Sequence, residues 1–457
     1  MIKPTLIQGV ILSYFIIIYG IGFFKKSKSD KDSFIFAGRR LTLPAFIATL
    51  VSTWYGGILE VGRFSYENGI VTILIFGVFY YIAAIGFALF FAPKIITKNI
   101  QSIPSLIHTQ FGKMPGIISI ILILLIASPA PYLKIFSILI QSFWEIPEYV
   151  AIIIGISISV LYSIRGGFSS IVRTDKLQFI LMFLGFSLIL WNLKQNYGGI
   201  DFLHKNAPIK IFQIPGNFSW TTIFVWGFIA LITFIDPGFF QRSFSGTDVK
   251  TVKKGILISV GFWIVFDIMT ITTGIYASAI LPKIDTSPYL DLAKLVLSPM
   301  AYSIFIVSLF SIVMSTIDSF TFISAYTLGM DLPPLLNLKN KNDTVNNTKY
   351  SLIIISVLSF TLSMFFNNAI EMWYVLGSIA VPVLLIPILS GLYHIKIKQP
   401  LNQFLFPLII TLLWFYHGLN NLDNWGYPQY LFQLDPMYPG LLMSTILFFK
   451  LKFKKLN

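Results

Sequence analysis

Residues 48–60 read Ala48-Thr49-Leu50-Val51-Ser52-Thr53-Trp54-Tyr55-Gly56-Gly57-Ile58-Leu59-Glu60. An apolar run of membrane-spanning character is interrupted near its middle by two adjacent glycines. Glycine loses the most backbone freedom on folding, so a pair of them weakens a helix. Inside a bilayer an unwound turn is tolerated only within protein or around a cavity, because its carbonyls have no water to meet. Freed carbonyl oxygens suit a hard cation. Small residues also allow close helix packing, so the glycines by themselves leave both readings open.

The rest of the chain has the same character. Of 457 residues, 56% are hydrophobic and 11% charged, against about 25% charged in soluble domains. A soluble enzyme and a disordered chain are both excluded. There is no cysteine, hence no disulfide framework or thiolate metal site. The four histidines, His108, His204, His394 and His417, are far apart and show no metal-ligand spacing. Apolar runs between charged and Pro/Gly punctuation predict about thirteen transmembrane helices. They lie near 5–24, 41–65, 70–92, 114–140, 147–166, 175–193, 217–236, 255–281, 296–329, 350–366, 370–393, 403–418 and 437–449. No small-residue cleavage site follows the first, which therefore reads as a retained span. The fold class expected is an all-α polytopic membrane protein, residues 1–457 forming a single membrane domain.

Charge placement orients it. With the N-terminus outside, 25 of the 33 Lys and Arg face the cytoplasm and 7 face outward, Lys134 lying within a span. That bias obeys the positive-inside rule. The cytoplasmic clusters include Lys25, Lys26 and Lys28, and the tail's Lys450, Lys452, Lys454 and Lys455. The net charge of +14 is thus assigned to anionic lipid rather than nucleic acid. A cell membrane location with a cytoplasmic C-terminus follows as the expectation.

The ninth span carries Ser308, Ser311, Ser315, Thr316, Asp318 and Ser319. Three-and-four spacing puts the serines on one helix face. Hydroxyls alone commonly bond back to a carbonyl of the preceding turn, but an acid in hydrocarbon must face protein or water. Asp267 in the eighth span is a second such acid, able to meet a cationic solute group or a polar neighbouring helix. Lys134 and Glu60 are further intramembrane charges that could pair with each other. On the cytoplasmic side, Arg165-Gly166-Gly167 precedes Thr174-Asp175-Lys176, where capping of a helix start is a sufficient local role for Asp175. Another polar turn reads Asp236-Pro237 through Gln241-Arg242.

Taken in order, these stretches resemble the sodium/solute symporter family, which includes proline, pantothenate and sugar symporters. The matching text is Gly38-Arg39-Arg40 with Thr53-Trp54-Tyr55-Gly56-Gly57, then Tyr162 to Gly167 with Thr174 to Gln178. Asp236-Pro237 with Gln241-Arg242 and Met314-Ser315-Thr316-Ile317-Asp318-Ser319 complete it. The resemblance implies a leucine-transporter-like fold with a 5+5 inverted repeat. On that scheme 1–40 hold an extra N-terminal helix and a basic loop, 41–395 the ten-helix core, and 396–457 two C-terminal helices. The unusually long fourth and ninth spans become core helices 3 and 8.

The resemblance also implies a sodium ion between the broken second span and the ninth. Its ligands would be the carbonyls of Ser52, Tyr55 and Ile312 and the hydroxyls of Ser315 and Thr316. Many members have alanine where this chain has Ile312. Asp175 and Asp318 would belong to a second sodium site. By position, the solute wall would include Trp54, Gly57, Glu60, Tyr80, Tyr81, Lys134, Trp226 and Asp267. The polar contacts of sugar-carrying members find no match here, which favours an amino acid or another small zwitterionic or charged metabolite. The oligomeric state is not encoded in any motif.

Other classes fare worse. A channel needs a repeated pore loop or rings of charge. A membrane enzyme needs a convergent acid/base or nucleophile set. A sensor on this fold lacks a signalling segment after the last span. A proton-coupled carrier on the same fold stays open, since Asp267 and Asp318 could take protons.

Overall fold

The computed structural model describes residues 4–24, 30–338, 343–365, 369–422 and 428–451. Of the basic clusters, Lys25, Lys26, Lys28, Lys452, Lys454 and Lys455 lie outside the described residues. The long helices are α1 (Pro4–Phe23), α2 (Leu43–Trp54), α3 (Ile58–Asn68), α4 (Val71–Thr97), α5 (Lys113–Gln141), α6 (Glu148–Tyr197) and α7 (Trp220–Ser245). They continue as α8 (Val249–Ile280), α9 (Pro299–Leu335), α10 (Thr344–Phe365), α11 (Ala369–Leu392), α12 (Asn402–Asn420) and α13 (Met437–Leu451). No β-strand forms among the described residues.

Nine of these helices are long and apolar enough to cross a bilayer, or ten when α2 and α3 count as one bent span. The expected count of about thirteen is not reached by this measure. Two expected spans run together in α6. The described residues of α13 number 15, against the roughly 20 of a span, and α12 has polar ends in Asn402, Gln403, His417 and Asn420.

The turn inside α6 is made by Gly167, with φ +55° and ψ −153°. A Cβ there would stand 2.2 Å from the Phe34 carbonyl oxygen, so side-chain-bearing residues are excluded on two counts. This turn corrects the expectation for Asp175. The helix resumes at 168, and Asp175 lies two turns inside it rather than at its start. Its carboxylate therefore caps nothing and is free to serve another element.

The core is built on α9, whose Tyr302–Tyr326 stretch is almost wholly buried. It packs most extensively on α6, and α1 lies across both. Within this seam two serines of α9 bond back along their own helix. Ser308 Oγ donates to the Phe305 carbonyl at 2.7 Å, and Ser311 Oγ to Val307 at 2.8 Å. Both are packing residues of the kind that bond back along the helix. A Cβ on Gly185 of α6 would approach Ser308 Oγ to 2.0 Å, so the two helices touch backbone to side chain there. This part of the stripe is thus structural, with Ser311 also beside the Tyr14 hydroxyl of α1, and from Ser315 onward the hydroxyls reach α2 and α6.

Three helices break within the membrane. α2 and α3 meet at a 60° bend over Tyr55–Gly57. α5 is interrupted at Ala127–Pro129, where Ser324 of α9 donates to the freed Ala127 carbonyl at 2.7 Å. α7 tightens over Ala230–Ile235 before restarting at Pro237, with Asp236 accepting the Phe239 N–H at 2.9 Å. Irregular backbone at this depth requires such partners.

Candidate functional site

The α2–α3 break packs directly on α9. A Cβ on Gly56 would stand 2.6 Å from Thr316 Cβ and 2.5 Å from the Tyr132 ring. Only a residue without a side chain lets the unwound segment approach this closely. Tyr55 supplies the turn, and its hydroxyl donates to the Trp263 carbonyl of α8 at 3.0 Å.

Around this contact the polar groups interlock. Ser315 Oγ lies 2.9 Å from Ser52 Oγ and 2.6 Å from Asp175 Oδ1. Thr316 Oγ1 is 2.8 Å from the Thr53 carbonyl and 3.3 Å from the Ile312 carbonyl. Thr49 donates to the second oxygen of Asp175. All of these residues are buried. The result is a dense set of oxygens from α2, α6 and α9, the donor chemistry a hard monovalent cation prefers.

Ser52, Ile312, Ser315, Thr316 and Asp175 therefore come together. Asp318 sits one layer away. Tyr162 donates to its Oδ2, and its Oδ1 is buried with no partner.

Sequence reasoning missed two residues that complete this cluster. Thr53 offers the carbonyl to Thr316, and its Oγ1 lies 3.1 Å from Ser319 Oγ. Arg242 of α7 is 1% exposed, and its Nη2 lies within hydrogen-bonding distance of Thr49 Oγ1 (3.1 Å), Thr53 Oγ1 (2.8 Å) and Ser319 Oγ (2.9 Å). The Thr49 hydroxyl thus stands between the guanidinium and Asp175. The signal was available: Arg242 belongs to the quoted Gln241-Arg242 stretch, but a polar turn by itself does not say which elements its side chains reach.

Beside the oxygen cluster lies a cavity of about 160 Å³. Trp54, Gly57, Tyr80, Trp226 and Asp267 of the expected solute wall line it, together with Tyr132 and Trp373. Glu60, Tyr81 and Lys134 do not. Tyr81 is held behind the wall, donating its hydroxyl to Asp267. Lys134 Nζ pairs with Glu148 at 2.7 Å, so the expected Glu60–Lys134 contact is replaced by one to the start of α6. Glu60 is buried in the first turn of α3, away from the cavity.

Residues 34–400 match the model of the sodium:solute symporter family. The chain belongs to that family. Among curated relatives of the family it is 24% identical over 322 residues to sodium/glucose cotransporter 4 of Danio rerio, covering 60% of this chain and 47% of the relative. It is 25% identical over 260 residues to the sodium/proline symporter of Haemophilus influenzae, covering 52% of this chain and 51% of the relative. The chain thus spans about half the length of these relatives. In structure it is similar to a Na+-coupled sialic acid symporter in a substrate-bound outward-open state, with a TM-score of 0.77, 15% identity, and 96% and 95% of the two chains covered. The fold of this symporter-family member is accordingly leucine-transporter-like, and the chain is a multi-span membrane protein.

Proposed function

We propose that the chain is a secondary active transporter that couples the fall of sodium into the cell to uptake of a small organic solute. The observation that carries this reading is the meeting of the glycine-opened turn with Ser315 and Thr316 beside an aromatic-lined cavity. Sodium would be held by the carbonyls of Ser52, Tyr55 and Ile312 and the hydroxyls of Ser315 and Thr316. A second sodium would use Asp175 with Asp318. By tying α2 to α9, the ion stabilises one arrangement of the two halves, and differential affinity between arrangements is what lets it drive alternating access. The solute would be an amino acid or another small zwitterionic or charged metabolite, bound against Trp54, Gly57, Tyr80, Trp226 and Asp267. Residues 41–395 would form the ten-helix core, with the N-terminus outside and the C-terminus in the cytoplasm of a cell membrane.

Proton coupling on the same fold is favoured by one observation, the unpartnered buried Oδ1 of Asp318. A carboxyl there could satisfy itself by carrying a proton.

Two measurements test these readings. Purified protein is expected to melt higher in NaCl than in KCl, and Ser315→Ala with Thr316→Ala to abolish the difference. Proteoliposomes screened with radiolabelled amino acids should take one up on a sodium jump. Uptake on a pH jump alone would replace sodium by the proton, and indifference of wild type to NaCl would refute the ion site.

A further inference from the structure

The cavity carries information about the solute that the family does not. Asp267 is 5% exposed and lines the cavity. No basic side chain forms an ion pair with it; among the described residues the one salt bridge is Lys134–Glu148. Its own partners are neutral hydroxyls, that of Tyr81 and, beside it, that of Tyr55. A buried carboxylate at membrane depth is costly unless a cation meets it, and the protein supplies none.

Three other acceptors in the wall already have donors. Asp236 accepts from Phe239 N–H, Ser128 Oγ from Ala130 N–H at 3.3 Å, and Thr53 Oγ1 lies 2.8 Å from Arg242. A primary ammonium brings three donors that each need an acceptor, whereas a methylated ammonium needs only charge and apolar surface around it. What the cavity offers in abundance is ring surface. Trp54 and Tyr80 stand 5.4 Å apart edge to face, and Tyr132 and Trp373 6.0 Å apart. Trp226 adds a fifth ring to the same cavity. Aromatic faces attract cations through their quadrupole and are the recurrent device for binding methylated ammonium groups.

An anion fares differently. Nη2 of Arg242 is taken up by the hydroxyls of Thr49, Thr53 and Ser319, Nη1 reaches the Gly238 carbonyl at 3.5 Å, and Nε is buried without a partner among the described residues. The nitrogen of Arg242 with the most contacts is thus committed to the oxygen cluster rather than to a solute carboxylate. Size is adequate, since cavities of roughly 150 Å³ hold a benzene-sized guest.

We infer that the solute enters with a methylated ammonium head group, lodged against Asp267 and enclosed by Trp54, Tyr80 and Trp226. The inference rests on the transporter reading, in that it takes this cavity to be the solute site. Within the zwitterionic or charged metabolites of that reading, it selects those whose recognised end is such a cation.

The test uses the full-length protein in detergent with saturating NaCl, and tetramethylammonium chloride as probe. Thermal stability and intrinsic tryptophan fluorescence are titrated against the probe and against its neutral near-isostere tert-butanol. Saturable binding of tetramethylammonium, at least ten-fold tighter than tert-butanol, is expected. Asp267→Asn should weaken it at least ten-fold, Asp267→Glu should restore part of the loss, and Tyr80→Leu should weaken it without altering the sodium response. Equal binding of the neutral isostere, or unchanged binding in Asp267→Asn, overturns the inference. Should Asp267→Asn not fold, the wild-type comparison of cation with isostere decides alone. A sodium-induced rise in melting temperature without any tetramethylammonium binding sinks this inference and leaves the transporter reading standing. Absence of the sodium effect itself removes that reading.

Discussion

Gly57 and Trp373 meet so closely that a Cβ on the glycine would lie 1.9 Å from the indole Cη2. The unwound turn between α2 and α3 is therefore shaped from both sides, by Thr316 below Gly56 and by the tryptophan of α11 against Gly57. Gly57→Ala must push the indole toward Tyr132, whose ring centroid is 6.0 Å away. Overpacking of this kind costs about 1–3 kcal/mol. The variant should melt lower than wild type and lose ligand binding in the cavity, and Trp373→Phe in the same chain should recover part of both. Full binding by Gly57→Ala alone would mean that the indole moves freely and does not form the wall.

Asp175 joins three helices through two hydroxyls. Both carboxylate oxygens accept, one from Thr49 and one near Ser315 at 2.6 Å. Asparagine keeps the shape but replaces one acceptor by a donor. Asp175→Asn is expected to lower apparent sodium affinity by about ten-fold or more, a difference of about 1.4 kcal/mol, read from the NaCl dependence of the melting temperature. Hydroxyls can turn to meet an amide, so folding should survive. An unchanged sodium titration would make Asp175 a packing residue.

Much of this was legible in the sequence, and the failures have physical causes. Membrane helices advertise themselves through apolar length, and the Gly56-Gly57 break and the Ser315–Asp318 segment through residues that hydrocarbon does not tolerate. Asp175 was assigned a cap because two glycines precede it, yet the chain turns at Gly167 itself and leaves the acid well inside the next helix. Lys134 was placed near Glu60 because both are charged and membrane-embedded; the ion pair went instead to Glu148, across the short connection from α5 to α6. Ser308 and Ser311 share the face of Ser315, but periodicity cannot distinguish a hydroxyl that bonds its own helix from one that reaches a neighbour. Tyr132 and Trp373 were invisible for a different reason: aromatic residues make up 16% of the chain, so no single ring stands out until the fold gathers them.

Arg242 holds α7 to α2 and α9 through the Nη2 of its planar guanidinium, which lies within hydrogen-bonding distance of three hydroxyls. Lysine keeps the charge but presents a compact ammonium on a flexible stem. Arg242→Lys should fold with a lowered melting temperature and a weakened sodium response, because Thr49 and Thr53 lose the donor that orients them. Arg242→Met should be worse for sodium binding than Arg242→Lys. If both variants titrate with sodium as wild type does, the arginine acts only as a strut.

Gly167 gives the complementary case, a residue fixed by backbone geometry far from the solute cavity. Its φ of +55° with ψ of −153° is a region essentially reserved for glycine, and Phe34 O would lie 2.2 Å from an added Cβ. Strain of this type costs about 1–3 kcal/mol before the clash is counted. Gly167→Ala should therefore reduce the yield of folded protein and its melting temperature more than Arg242→Lys does. The fraction that folds should bind sodium with wild-type affinity, because the turn sets the direction of α6 without touching Ser52, Ser315 or Thr316. A Gly167→Ala protein of normal stability would mean the turn can be made another way. Normal stability joined to lost sodium binding would mean that the reversal, and with it the placement of Asp175 two turns later, is tuned to the ion rather than to the fold.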